Sequence, residues 1–207
     1  MKKNKELILE KSLELFNNQG VANVSIRQIA AEINISHSNL IYHFKTKNDI
    51  IIALHQQLLD KASELNRETK ENNDFIKALL DTTRKGFDIL YQYRFFITEI
   101  THITRESEAI KQIFLEVEKI RASMYREAIA NAVIQGVMRA ELYEKEYETF
   151  IEHIKIYSDS WISSSQIYDD TDTDRIIEKY AVLFIKMFFP YLTEKGKEDF
   201  LKLDELF

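Results

Sequence analysis

Cysteine is absent from all 207 residues, so disulfides and thiolate metal sites are excluded outright. Glycine occurs 4 times and proline once. So few breakers favour long helices over a turn-rich β fold. No apolar run approaches the length of a membrane-spanning helix. The start, Met1-Lys2-Lys3-Asn4-Lys5-Glu6, has basic residues, but Glu10 and Lys11 break the next segment before it reaches the apolar length of a signal peptide. A cytoplasmic protein is expected. Catalytic signatures are missing as well. His37, His43, His55, His102 and His153 show no metal-ligand spacing, and there is no glycine-rich phosphate loop and no nucleophile elbow. Neither an enzyme, nor a metal site, nor a cofactor is expected.

What is present is a core and an uneven distribution of charge. Hydrophobic residues make up 45% of the chain and aromatic residues 12%, enough to build a substantial interior. Net charge is −6, an unpromising figure for a protein that meets nucleic acid. Residues 1–60, however, hold 7 basic against 6 acidic side chains, and the remainder 21 against 28. The first quarter is therefore the part that a phosphate backbone would not repel.

Helix signals are dense in that quarter. Leu9, Ser12, Leu13 and Phe16 form one helical face, which stops before Gly20. Ser25 with Gln28 reads as a capping box, and Val24 can staple onto Ile29. This second helix carries Ile26, Ile29, Ala30 and Ile33 inward and ends at Asn34, a residue that tolerates left-handed backbone. Ser36 caps a third helix with Leu40 and Phe44 inward, leaving His37, Ser38, Asn39 and Tyr42 outward. Thr46, with Asp49 three residues on, caps a fourth. Two short helices joined by a tight turn are a helix-turn-helix, whose second helix enters the major groove. His37, Ser38 and Asn39 would face base edges, and asparagine can pair bidentately with adenine.

The stretch from Val24-Ser25-Ile26-Arg27-Gln28-Ile29-Ala30 to Ile35-Ser36-His37-Ser38-Asn39-Leu40-Ile41-Tyr42-His43-Phe44-Lys45-Thr46-Lys47 resembles the DNA-binding domain of the TetR family. The likeness covers roughly residues 5–52. It implies an all-α fold: a helix-turn-helix domain over 1–50, then a larger helical effector-sensing and dimerisation domain over 51–207, bridged by a helix at about 47–66. It also implies that Ser25, Arg27, Tyr42 and Lys47 touch phosphates and that His43 and Phe44 hold the reading helix in place. Ser36, His37, Ser38 and Asn39 complete the expected DNA-binding set. Asn34, Ser38 and Ile41 depart from the family's usual glycine, glycine and tyrosine.

Beyond residue 66 the polar run Arg67 to Asn73 ends one helix, and Asn73 or Asp74 caps the next. A helix runs from Phe75 to Tyr91, another from Tyr93 to about Arg105, and a long one ends at Gly136. Gly136-Val137-Met138-Arg139 resembles a turn found in TetR relatives. Two broadly apolar helices close the chain, ahead of an amphipathic tail with Phe200, Leu203 and Phe207. The resemblance implies that they pair with their copies in a homodimer, through Phe150, Ile154, Trp161, Tyr180, Phe184 and Met187. It further implies a small-molecule effector inside the C-terminal helices, for which Tyr91, Phe95, His102, Tyr125, Tyr157 and Trp161 are the candidate lining. The acidic run Asp169 to Asp174 lacks EF-hand spacing and reads as a loop in which Thr171, Asp172 or Thr173 caps a helix. The expected function is a sequence-specific regulator of transcription, a repressor that binds double-stranded palindromic operator DNA and is released by its effector. The rivals are a ligand-binding or interaction protein whose helix-turn-helix no longer reads DNA, and an all-α enzyme.

Overall fold

A computed structural model describes residues 2–69, 75–170 and 172–204. The described residues are all-α. In chain order the helices are α1 (Lys2–Gln19), α2 (Ile26–Glu32), α3 (His37–His43), α4 (Lys47–Thr69), α5 (Phe75–Gln92), α6 (Phe95–Thr98), α7 (Ile100–Glu106), α8 (Glu108–Ile134), α9 (Glu146–Tyr168) and α10 (Thr173–Lys186). A 3₁₀ turn (Phe189–Tyr191) and α11 (Glu194–Asp204) complete the series. Among the described residues no helix is long and apolar enough to cross a membrane. The caps expected at Asn73 or Asp74 and at Thr171, and the tail residue Phe207, lie outside the described residues; so does the side chain of Leu203.

The chain forms two compact units. The first holds Met1–Ser63 with Ile89–Phe114, the second Glu64–Asp88 with Leu115–Phe207. A division at residue 50 matches the helix-turn-helix pattern alone. The unit that contains this pattern continues through Ser63 and takes in α6 and α7. The reason is core volume: a segment of about fifty residues buries little apolar surface by itself. Ile8, Phe16, Ile29, Leu40 and Leu54 share one core with Tyr93, Phe95, Phe96, Ile103 and Ile110. Phe95 and Phe96 are each 1% exposed, and each contributes roughly 1.5–3 kcal/mol by burial.

The segment after Tyr93 is two short helices rather than one. Glu99, at φ −121°, ends α6 and precedes α7. Its carboxylate accepts from the Val21 amide at 3.0 Å. Gly20 has φ +80°, a backbone conformation that favours glycine, and a Cβ there would stand 2.2 Å from the Glu99 Oε1 and displace that carboxylate.

In the second unit Asp172 is the cap of α10, accepting from the Arg175 amide at 3.0 Å. Asp169 receives bonds from Lys179 and from the Tyr180 hydroxyl. The acidic run thus serves helix ends and ion pairs at these positions. Pro190 lies within the 3₁₀ turn beyond α10.

Candidate nucleic-acid interface

Local chemistry sets the reading helix. Ser25 caps α2, accepting from the Gln28 amide at 3.2 Å. The Gln28 side chain does not return to Ser25, as a full capping box would have it. It donates instead to the Gln19 Oε1 at 2.8 Å, tying α2 to the end of α1. Val24 and Ile29 are both buried, as the staple requires. At the other end Asn34 takes φ +54°. Its amide bonds the Ala31 carbonyl and the Ile35 amide bonds the Ala30 carbonyl, the paired bonds of a Schellman turn. Ser36 then caps α3 through the Asn39 amide at 3.1 Å. Thr46 and Asp49 close a reciprocal capping box on α4, at 2.9 and 3.1 Å.

These caps fix which way α3 faces. Leu40 and Phe44 are buried, while Ser36, His37, Ser38, Asn39 and Tyr42 are exposed, Tyr42 by 72%. His43 is half-buried and meets the Tyr42 ring edge-on at 5.3 Å. The exposed face opens on a recess of about 450 Å³ lined by Asn4, Ser36, Ser38, Asn39, Tyr42 and His43. The Ser36 and Ser38 hydroxyls share a bond at 3.0 Å. Among the described residues no carboxylate lines the recess. Asn4 is the lining residue that the sequence pattern does not single out. It precedes the first apolar stripe, and periodicity carries no signal for a polar residue there.

Ser25 and Arg27 are exposed at the start of α2. Lys47 is placed differently. Its ammonium donates to the Val21 carbonyl at 2.6 Å and the Val24 carbonyl at 3.2 Å. Two of its three N–H donors therefore hold the start of α4 against the turn before α2. Lys47 is first a clamp, and at most one donor remains for a phosphate.

The six candidate effector residues do not assemble within one unit. Tyr91, Phe95 and His102 belong to the first. Phe95 packs on Phe16 at 5.3 Å and Phe96 at 4.0 Å, as core, and His102 is exposed. Tyr125, Tyr157 and Trp161 belong to the second unit. There Trp161 stacks on Phe87 at 4.7 Å and 12°, and Tyr157 lies 5.7 Å from Phe184 and donates to the Tyr180 carbonyl at 2.7 Å.

The candidate dimer residues need correction. Phe150, Ile154, Trp161, Tyr180 and Phe184 are each 8% exposed or less within the single chain, and Met187 is half-buried. They face the interior of the single chain's second unit. A helix that is apolar on several sides shows that it is covered, not by what. The exposed stripe of α9 runs instead through Ile156, Ser160 and Ile167, and that of α10 through Leu183 and Lys186.

Two family models match the chain. One, described as bacterial regulatory proteins of the tetR family, matches residues 8–54. The other, a TetR model described as bacterial transcriptional repressor, matches residues 38–200. The chain is 24% identical over 147 residues to the uncharacterized HTH-type transcriptional regulator YerO of Bacillus subtilis, spanning 67% of this chain and 50% of the relative. It is 39% identical over 59 residues to an HTH-type transcriptional regulator of Staphylococcus aureus, spanning 28% of this chain and 32% of the relative. The match thus covers half or less of these relatives' own length. Among solved structures, a TetR-family regulator from Marinobacter aquaeolei superposes with a TM-score of 0.86 at 23% identity, over 97% of both chains. A transcriptional regulator from Saccharomonospora viridis, solved in complex with choline, gives 0.74 at 17% identity over 90% of this chain and 97% of that one. The SmeT–triclosan complex gives 0.67 at 14%, over 92% of each chain.

Proposed function

The chain belongs to the TetR family of bacterial regulatory proteins, and from that premise we propose that it is a sequence-specific DNA-binding regulator of transcription, a repressor that a small-molecule effector releases. The observation that carries the reading is α3 itself. Its caps and the Schellman turn at Asn34 present a polar face free of carboxylates, in a chain whose net charge is −6. His37, Ser38 and Asn39 read base edges, with Asn39 suited to adenine. Ser25, Arg27 and Tyr42 hold phosphates, which set register rather than sequence. Ser36 and His43 keep α3 in position.

Two copies act together on a palindromic site, placing two α3 helices about 34–36 Å apart in successive major grooves. The exposed stripes of α9 and α10 supply the surface for that pairing. The effector enters the second unit, where Tyr157 and Trp161 stand in a cluster of rings with Phe87, Tyr180 and Phe184. Structural relatives solved with choline and with triclosan support a ligand-responsive reading. Trp161 is the chain's one tryptophan, so its emission reports directly on that cluster. The protein works in the cytoplasm, where its DNA is.

The test is fluorescence anisotropy with a duplex from immediately upstream of the protein's own gene, in the presence of non-specific competitor. The protein is refolded from denaturant so that no small molecule is carried over. The expected result is competitor-resistant binding whose logarithm falls linearly with the logarithm of salt. Binding that shows no preference over competitor at any salt would overturn the reading.

A further inference from the structure

The recess beside α3 is not built by the helix-turn-helix alone. Asn4, from the first turn of α1, lines it together with Ser36, Ser38, Asn39, Tyr42 and His43. Asn4 precedes the residues matched by the family's DNA-binding model, which begin at residue 8. Asn4 is half-buried. A neighbouring contact fixes the same turn of α1: the Lys5 ammonium lies 5.5 Å over the ring of Phe44, the residue that ends α3.

The lining chemistry admits an anion. Asn4 and Asn39 carry amide N–H groups, Ser36, Ser38 and Tyr42 carry hydroxyls, and His43 carries a ring N–H. With no carboxylate among them, nothing in the wall repels negative charge. Position selects which anion. A helix lying in a major groove has the sugar-phosphate backbone on each flank. An element standing beside that helix meets phosphate rather than base edges. Resting on the DNA-binding reading above, we infer that Asn4 is a further DNA contact, donating its amide N–H to a backbone phosphate that sits between the start of α1 and the start of α3.

Asn4→Ala and Asn4→Asp test this beside the wild type. Each is titrated against the upstream duplex and a scrambled duplex of the same composition, at several salt concentrations, with circular dichroism melts to verify the fold. Asn4→Ala is expected to bind both duplexes about ten-fold more weakly, the scale of one hydrogen bond to a charged group. Its salt slope stays that of the wild type, because asparagine releases no counterion. Asn4→Asp weakens binding further, and more so at low salt. Wild-type affinity in a folded Asn4→Ala, or a loss confined to the upstream duplex, would overturn the phosphate contact and leave the regulator reading standing. A wild type with no preference for the upstream duplex would overturn both.

Discussion

The Arg139 guanidinium clasps the Glu146 carboxylate with two parallel bonds, at 2.8 and 2.7 Å. The same carboxylate accepts from the Leu142 amide at 2.7 Å and is nearly closed to solvent. Arg139 also donates to the Pro190 carbonyl at 3.3 Å and lies 5.2 Å over the Tyr191 ring. One arginine thus joins the loop after α8, the start of α9 and the 3₁₀ turn.

That arrangement has an acid signature. The Arg139 bonds, and after them the Leu142 amide, hold the Glu146 carboxyl down to about 2 from 4.5. A depressed carboxyl stabilises the fold fully above the unfolded value, and the contribution disappears as pH falls from 4.5 toward 2. Glu146→Gln should lower the urea midpoint at neutral pH. It should also flatten the fall in midpoint across this acid range. Parallel profiles for the two proteins would contradict the assignment.

A second, milder acid step belongs to His55. It is 5% exposed in the first unit, with the Phe96 ring at 5.3 Å and the Phe114 ring at 4.7 Å. Burial lowers its pKa from 6.5 to about 4. The unfolded chain therefore binds the proton more readily, and stability falls as pH drops from 6.5 toward 4. The loss is on the order of 1–3 kcal/mol. His55→Leu removes the titrating group, and its stability should stay nearly level over that window. An unchanged gradient would place the acid sensitivity elsewhere.

Asn34 tests the backbone of the turn. At φ +54° a β-branched side chain is strained, whereas glycine is at ease. Asn34→Val should destabilise the protein by about 1–2 kcal/mol and weaken DNA binding, because the turn aims α3. Asn34→Gly should stay within roughly 0.5 kcal/mol of the wild type. Denaturant melts of the two variants decide this; equal stabilities would mean that the turn is not under conformational constraint.

Lys47 and Arg27 separate a clamp from a phosphate contact. Lys47→Met keeps the aliphatic stem but loses the bonds to Val21 and Val24, so it should cost about 1–3 kcal/mol of stability. Its salt slope in DNA binding should change little. Arg27→Ala should leave stability nearly unchanged and reduce the slope by about 1. The opposite pairing of effects would exchange the two roles.

Much of the first unit is legible in the sequence because its signals are local. A cap, a staple and a left-handed residue each act within a few positions, so Ser25, Asn34, Ser36 and Thr46 announce their helix ends. Features that depend on partners distant in the chain are not legible. Phe95 reads as an aromatic on a helix face, and only the fold shows that it closes the core against Phe16. The break at Glu99 has no glycine or proline to mark it; the carboxylate is fixed there by the Val21 amide, 78 positions away in sequence. The inward stripe of α9 reads as its partner face because both sides of that helix carry apolar residues. Ile156 and Ile154 differ by two positions, yet one is 59% exposed and the other 0%.

On the proposed function α3 reads base edges. The most direct measurement is the ratio of affinities for the upstream duplex and its scrambled counterpart at one fixed salt concentration, in the wild type and in Asn39→Ala. The expected wild-type preference is roughly 10³-fold or more. Asn39→Ala should cut that ratio by about 1–3 kcal/mol while leaving affinity for the scrambled duplex unchanged. A wild type that binds both duplexes equally, or an Asn39→Ala that weakens on both by the same factor, would contradict it.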